Sequence, residues 1–343
     1  MFVHAVPDYI NAKEYGAGNW KAVEANRIAL ADAGIRARTV AFPSENPQAL
    51  LSHLTSETRH LLLEYSLWPE LQAEVRRRYP HLNVHVRTHN AEAYHYLHRN
   101  TRRRLDYLQP RLWRKFAELA TRDCRSRRNA HSLLGISAWD NAHYWRWLPG
   151  SAPIEYLPYF SPWPAVRPQV EPRAWSERRP VIVSMGGNFD PSGLVNVNNF
   201  NVLSRSLPAI SKENWRFQLT WWSQWHQKVP SVNANVEILR QCDEPWDLLC
   251  EARALAVLTH LGFGFKTTIL DGLAAGCHVI VDPKLAHRLP SAVAKLCLVC
   301  DPSDDGQLAQ LECALSTPPV RHEINQQLRD RAITMLRAIN DDK

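Results

Sequence analysis

The feature of the sequence that most restricts its fold is an alternation of apolar, strand-like runs with helical segments, which occurs twice. Near the N-terminus the run FVHAV is followed by a helical pattern that stops at Gly34, and then by the run IRARTVAF. The same alternation starts again at RPVIVSMGG, which begins at Arg179. Short apolar runs separated by helices are typical of parallel sheets that are covered on both faces. The sequence therefore predicts an α/β protein with two units of similar architecture.

A polar, proline-rich stretch at residues 161–180 separates these two units. Clusters of proline and polar residues are typical of linkers. The chain of 343 residues has the length of two ordinary domains. Ligands of such folds bind at the carboxyl ends of the strands, so we expect the two sets of strand ends to face one cleft.

The composition excludes several classes of protein. Hydrophobic residues make up 45% of the chain and charged residues 22%, which argues against extensive disorder. No apolar run approaches the roughly 20 residues that cross a bilayer, and the N-terminus lacks the pattern of a signal peptide. Cys297 and Cys300 form a CxxC pair without a second ligand pair, so we expect reduced cysteines, no metal site and a cytoplasmic location.

Much of the net charge of +7 comes from an arginine-rich stretch between Arg99 and Arg128, within a helical pattern over residues 93–130. One interpretation is a solvated helical face. The other is a surface that attracts an anionic membrane, a phosphorylated acceptor or nucleic acid. An interfacial helix also needs apolar side chains beside its charges, and the stretch supplies Leu105, Tyr107, Leu108, Leu112, Trp113 and Phe116.

The segment at residues 259–281, THLGFGFKTTILDGLAAGCHVIV, indicates a binding site. A strand ends at His260, a loop with two glycines follows, and a helix begins near Lys266. The helix N-terminus and the lysine favour an anion, and Asp271, one turn further, is spaced to reach a hydroxyl group. The segment therefore predicts a site for a ligand that carries both a phosphate and a polyol. It lacks the spacing of a Walker loop and the third glycine of a dinucleotide-binding loop.

This segment resembles the donor-site motif of GT-B glycosyltransferases, in which a G-x-G-x-K sequence is followed by an acidic residue and by Leu-Ala-Ala-Gly. The matching residues are Gly262, Gly264, Lys266, Asp271 and residues 273–276. Other stretches are similar to the family's acceptor domain, to its last strands before the linker and to the glycine turn that opens its donor domain. These stretches are residues 86–92, residues 134–137 with 157–159, and residues 184–189.

The resemblance implies two Rossmann-like domains that face a cleft, which is the GT-B arrangement. We expect an acceptor-binding domain at residues 1–165, a linker at 166–179, a nucleotide-sugar-binding domain at 180–320 and a C-terminal helix at 321–343. The implied reaction transfers a sugar from a nucleotide-diphosphate-sugar to an acceptor hydroxyl, without a metal or a cofactor.

From the basic stretch we expect the acceptor to be a cell-envelope or lipid-linked saccharide, met in the cytoplasm or at the inner face of the membrane. Two alternatives stay open. One is a sugar-nucleotide epimerase or hydrolase of the same fold. The other is a non-catalytic nucleic-acid-binding protein, although nucleic acid is not an expected partner because the sequence has no recognisable binding module.

The resemblance also implies roles for single residues: Lys266 approaches the donor diphosphate and Asp271 the ribose hydroxyls. The full set expected at the donor is Gly186, Gly187, Asn188, His260, Gly262, Phe263, Gly264, Lys266, Thr267 and Asp271. His89 is the candidate for the base that takes the acceptor proton, Glu92 is a candidate to act as base or to orient His89, and Asp8 is a further candidate acid.

The motif departs from the family in two places. Retaining members usually carry two glutamates seven residues apart around the glycine loop, whereas here no acid precedes Asp271 in that loop. Thr268 stands where a second basic residue often follows the lysine. Both departures leave retention and inversion of the anomeric centre open.

Overall fold

Each half of the chain forms a parallel sheet because its strands are apolar along most of their length. The computed structural model describes residues 1–11, 18–101, 104–185, 191–220, 231–239, 245–261 and 263–342, and it contains two six-stranded sheets. The strands Phe2–Pro7 and His60–Glu64 are buried at every position, since helices cover both faces of the sheet. The predicted α/β architecture of two Rossmann-like domains is confirmed.

The strands of the first domain are β1 (Phe2–Pro7), β2 (Ala37–Phe42), β3 (His60–Glu64), β4 (Asn83–Thr88), β5 (Ser132–Gly135) and β6 (Ile154–Tyr156). They lie in the order β2-β1-β3-β4-β5-β6, and every pairing is parallel. The α-helices are α1 (Asp8–Asn11), α2 (Gly18–Asp32), α3 (Pro69–Arg78), α4 (Glu92–Asn100), α5 (Pro110–Asn129) and α6 (Ala138–His143). Short 3₁₀ helices occupy Pro47–His53, Arg104–Leu108 and Trp145–Trp147.

The second domain has strands β7 (Arg179–Met185), β8 (Arg216–Thr220), β9 (Val236–Leu239), β10 (Ala252–Val257), β11 (His278–Val281) and β12 (Cys297–Val299). These parallel strands lie in the order β12-β11-β10-β7-β8-β9. After α7 (Trp163–Val166) and the 3₁₀ helix Trp175–Glu177 in the connecting stretch, the helices are α8 (Pro191–Ile210), α9 (Pro245–Glu251), α10 (Thr267–Ala274), α11 (Pro283–Ala286), α12 (Ser291–Ala294), α13 (Asp305–Leu315) and α14 (Ile324–Asp341).

The predicted C-terminal helix is present as α14, and it crosses back to the first domain. Arg329 donates to the carboxylate of Asp32 at the end of α2, with 2.8 Å between Nε and Oδ2. The buried apolar face of α14, which includes Leu336, belongs to the same core as Ala22 of α2 and Leu270 of α10. The helix therefore joins the two domains, and its first turn also contacts the connecting stretch, where the amide of Ser161 donates to Oδ1 of Asn325 at 2.6 Å.

The basic segment is not one continuous helix as its pattern suggested. The helix α4 ends at Asn100, and α5 begins at Pro110, which is in its first turn. Proline disfavours the helical conformation in the residue before it, so Gln109 is extended and the chain turns there. No helix in the described ranges is long and apolar enough to cross a membrane.

Candidate active site

The strand order of the two sheets reverses between β1 and β3 and between β7 and β10. Ligands of open parallel sheets bind at the carboxyl ends of the strands beside such points. Asp8 follows β1, Glu64 ends β3, and the glycine loop at residues 261–265 follows β10. The topology therefore brings Asp8, Glu64 and the glycine loop to the two edges that face each other.

The glycine loop touches the first domain through Gly264. Its φ of 82° is in the left-handed region, and a Cβ there would overlap with the carbonyl oxygen of His89 and the side chain of Asn90. The amide of Gly264 donates to Oδ2 of Asp140 at 2.8 Å. Burial raises the pKa of Asp140 to about 6, although this amide opposes the shift. Glycine is required here because two backbones meet across the cleft.

Phe263 of the same loop enters an aromatic socket on the first domain. Its ring stacks on Tyr94 of α4 at 5.3 Å and meets His98 edge-on at 4.6 Å. Trp139 of α6 lies 5.6 Å away, and the guanidinium of Arg288 lies 5.8 Å from the ring centre. The predicted donor residue Phe263 thus positions the loop against the other domain.

Lys266, which the resemblance places near the donor diphosphate, lies at the N-terminus of a helix. It is the residue before the first turn of α10, and the backbone amides at a helix N-terminus favour an anion. Its Nζ lies 3.3 Å from Oγ of Ser192 at the start of α8, and this hydroxyl also lies 3.1 Å from that of Thr259. Lys266 is half-buried and lies beside the start of α8, while Thr267 is buried.

Asp271 lies in a different environment from the one expected of a ribose ligand. Its side chain is 1% exposed and forms an ion pair with Lys21 of α2 in the first domain. Its Oδ1 accepts hydrogen bonds from Tyr159 at 2.9 Å and from Ser161 at 2.7 Å. The carboxylate is occupied because α2 packs directly on α10. In this arrangement it links the domains, and contact with a ribose requires these bonds to open.

His89, the predicted base, is held by a buried carboxylate that the sequence analysis did not single out. Its Nε2 donates to Oε2 of Glu64 at 2.6 Å. Oε1 of Glu64 lies 2.6 Å from Nε2 of His4 and also accepts from Asn26. Burial raises the pKa of Glu64, but the hydrogen bonds from the two histidines outweigh it and hold the pKa below its ordinary value.

Tyr65 also packs against His89. Its ring stacks on the imidazole of His89 at 4.1 Å with 12° between the planes. Its backbone has a φ of 72°, a left-handed conformation that is unfavourable for a bulky residue. Such strain persists where surrounding structure enforces it, commonly at functional sites. The imidazole is therefore held by one carboxylate and by one aromatic face.

Glu92 does not orient His89, because Glu64 occupies that role. Glu92 lies in the first turn of α4 and its nearest polar contact is the side-chain amide of Asn90 at 3.3 Å. Burial raises the pKa of Glu92 to about 7, and the nearby carboxylate of Asp123 adds to the shift. A carboxyl group with this pKa exchanges protons near neutrality, so the role of base is chemically open to it.

The remaining predicted residues lie at the margins of the cleft or outside the described ranges. Asp8 is exposed and accepts from the amide of Ser44 at 3.1 Å, which makes it a loop cap. The backbone oxygen of His260 accepts from Arg288 at 2.7 Å, and its ring lies 3.7 Å from Asp282. Gly186, Gly187, Asn188 and Gly262 lie outside the described residues.

Several residues of the site were not predicted from the sequence, and two of these, Glu64 and Lys21, are recognisable in the sequence afterwards. Glu64 is the single acid at the end of the apolar run HLLLE, and Lys21 is the single cation among the buried residues of α2. A charge in an otherwise apolar pattern implies a buried partner. Arg288 follows a short helix with no such contrast, so nothing in its neighbourhood indicated contact with the glycine loop.

Comparison with solved structures identifies the fold formed by the two domains. No protein-family model matches the sequence, and no curated protein matches it. Among solved structures, sucrose-phosphate synthase from Thermosynechococcus elongatus is similar with a TM-score of 0.63 at 13% identity, over 99% of this chain and 96% of that chain. An E. coli structure described as trehalose-6-phosphate bound with UDP-2-fluoro glucose is similar with a TM-score of 0.59 at 11% identity, over 99% and 96% of the two chains.

Anabaena Alr3699/HepE in complex with UDP and glucose is similar with a TM-score of 0.54 at 10% identity, over 98% of this chain and 94% of that chain. At identities this low the likeness shows the fold alone. That fold is the GT-B arrangement expected from the sequence, and it extends over nearly the whole chain.

Proposed function

We propose that this chain is a glycosyltransferase that moves a sugar from a nucleotide-diphosphate-sugar to a hydroxyl group of an acceptor. The observation that carries the proposal is the contact of Gly264 with the backbone of His89. It brings the loop before Lys266 and the candidate base to one place between the domains. The second domain offers a helix N-terminus for the donor phosphates, and the first domain offers the imidazole of His89 for the acceptor proton. Glycosyl transfer needs both groups.

The proposed reaction uses one group from each domain. The acceptor oxygen attacks the anomeric carbon while His89 takes its proton, and the bond from that carbon to the diphosphate breaks. The electron pair leaves with the nucleoside diphosphate, whose charge Lys266 and the N-terminus of α10 stabilise. We propose that these groups serve in place of a metal ion. This proton transfer applies to an inverting reaction.

The acceptor in this proposal is a cell-envelope or lipid-linked saccharide, and the enzyme acts in the cytoplasm or at the inner face of the membrane. The basic stretch from Arg99 to Arg128 supports this, because it belongs to the domain opposite the donor loop. In this proposal the second domain serves the donor phosphates, and the exposed side chains of Arg111 and Arg114 in the first domain can meet an anionic acceptor or surface.

A screen of UDP-, GDP-, dTDP- and CMP-sugars tests the proposal, with release of the nucleotide measured with and without candidate acceptors. UDP-sugars come first because two structurally similar proteins hold UDP-2-fluoro glucose or UDP with glucose. Acceptor-dependent release in the presence of EDTA is the expected result. Release that is fast without any acceptor would instead favour the epimerase or hydrolase. Absence of binding to every nucleotide-sugar would contradict the donor site.

A further inference from the structure

A group of exposed apolar side chains lies on the first domain, between α4 and α5. Leu105 and Leu108 are 72% and 75% exposed, and Tyr107 and Trp113 are 42% and 45% exposed. We call these four residues the apolar patch. Of the eleven large hydrophobic side chains that are exposed among the described residues, five lie between residues 94 and 113. Single exposed apolar residues are ordinary, but such a concentration marks an interaction surface.

The apolar patch belongs to a strongly basic stretch of the sequence. Eleven Lys or Arg residues and three acidic residues lie between Arg99 and Arg128. Arg111 and Arg114 are exposed in the first turns of α5 and flank Trp113. Leu112 is buried, contrary to its expected place among the interfacial residues, and it anchors this end of the helix. The exposed surface thus combines leucines, aromatic rings and arginines.

A row of aromatic rings connects the apolar patch with the glycine loop. Tyr107 lies 6.5 Å from Trp113, and Trp113 lies 5.7 Å from Phe116. Phe116 lies 5.7 Å from Tyr94, which stacks on Phe263 at 5.3 Å. The apolar patch is therefore continuous with the mouth of the cleft, and a molecule that covers it lies beside the candidate active site.

We propose that the apolar patch, with Arg111 and Arg114, docks the protein on an anionic lipid membrane and places the cleft at the lipid surface. An interfacial site needs apolar side chains that enter the boundary of the acyl chains, rings at the level of the headgroups and cations near anionic lipid. The four residues and two arginines supply each of these. A soluble polyanion would pair with the arginines but would leave both leucines in water.

This inference rests on the proposed function, since it gives a lipid-linked acceptor its route to the cleft. It also makes a separate physical claim about binding. An arginine near an anionic surface and a leucine that enters the acyl-chain boundary each strengthen membrane binding. Loss of a pair of either kind should therefore weaken membrane binding by about tenfold or more.

Sedimentation with phosphatidylcholine vesicles that contain or lack phosphatidylglycerol tests the proposal, at low and high salt. The variants are Leu105→Ser with Leu108→Ser, and Arg111→Gln with Arg114→Gln. Their matched controls change exposed residues elsewhere: Val320→Ser with Ile210→Ser, and Arg36→Gln with Arg59→Gln. All side chains changed are exposed, so circular dichroism and thermal unfolding should show an intact fold.

The wild type should bind vesicles that contain phosphatidylglycerol, more weakly at high salt, and both patch variants should lose this binding while both controls keep it. Equal binding by patch variants and controls would overturn the proposal, as would absence of vesicle binding by the wild type. Salt-dependent binding to RNA or DNA instead of vesicles would also overturn it. Because no nucleotide-sugar is present, this result is independent of the donor screen, and either proposal can fail alone.

Discussion

The buried carboxylates of Glu64 and Asp271 lie in different domains, and they differ in the groups that they bind. Glu64 accepts hydrogen bonds from His4, Asn26 and His89, all within its own domain. Asp271 binds Lys21 of the opposite domain, together with the hydroxyls of Tyr159 and Ser161. The chemical group is the same and both are fully buried. The difference shows that the partners, rather than the carboxylate, decide whether a buried acid holds a histidine of its own domain or links the two domains.

The largest expected effect is the loss of kcat when His89, the histidine bound to Glu64, is replaced. His89→Ala should lower kcat by about 10² to 10⁴ for the nucleotide-sugar found active in the donor screen, because a general base contributes that much. Glu64→Gln should lower kcat in the same direction with less change in KM, since the imidazole loses its charged partner. Steady-state kinetics measure both, and exposed His53→Ala is the control. Wild-type kcat in His89→Ala would remove the base assignment.

Substitution of Asp271 should instead lower the free energy of unfolding. Asp271→Asn leaves the ammonium of Lys21 buried without its ion-pair partner, which should lower the free energy of unfolding by about 3–5 kcal/mol. Urea denaturation of Asp271→Asn, Lys21→Met and the double variant measures the loss. The double variant should lose much less than the sum of the single variants.

Additive losses in that cycle would mean that the two side chains are not coupled. The same variants also test the prediction that Asp271 approaches the ribose hydroxyls of the donor. If Asp271→Asn discriminates ribose from 2′-deoxyribose less well than the wild type, then donor binding opens the contact with Lys21. Unchanged discrimination would leave Asp271 with the interdomain role alone.

Lys266 is close to Asp271 in sequence but should act on the ligand and not on the fold. Lys266→Ala should weaken binding of a nucleoside diphosphate by about 1.5–3 kcal/mol and leave binding of the nucleoside unchanged, because a charge-assisted contact acts on phosphate. Isothermal titration calorimetry with both ligands measures this, and exposed Lys284→Ala is the control. Equal weakening for both ligands would show that Lys266 is not at the phosphates.

The smallest effect concerns Glu92, a third carboxyl group near the cleft that differs from Glu64 in the sign of its pKa shift. Its pKa is raised to about 7, so its contribution to stability is complete below about pH 4.5 and is lost as the pH rises through 7. Glu92→Gln should therefore gain about 1–2 kcal/mol relative to wild type at pH 8, and little at pH 4.5.

Urea unfolding at the two pH values measures this difference for Glu92→Gln. An equal difference at both values would contradict the raised pKa. The kinetics of the same variant also separate the two candidate bases. If His89 is the base, kcat should stay within about tenfold of wild type, whereas a loss of the size expected for His89→Ala would transfer the role to Glu92.

Local patterns in the sequence were sufficient for much of this molecule. The alternation of apolar runs with helices determined two parallel sheets, because fully buried strands need continuous apolar side chains. The glycines and Lys266 after one strand determined a loop that ends at a helix N-terminus. The amphipathic pattern at the C-terminus determined α14. Each of these depends on neighbours within a few residues, which the sequence displays directly.

Tertiary structure alone decided the partners of the buried charges. Lys21 and Asp271 are 250 residues apart, and they meet because α2 and α10 pack together across the two domains. His4, Glu64 and His89 come from three different strands or strand ends that the sheet order places side by side. A sequence shows that a charge lies in an apolar run and must be satisfied there. Which group satisfies it depends on long-range packing, and that packing decided which carboxylate faces a histidine and which one joins the domains.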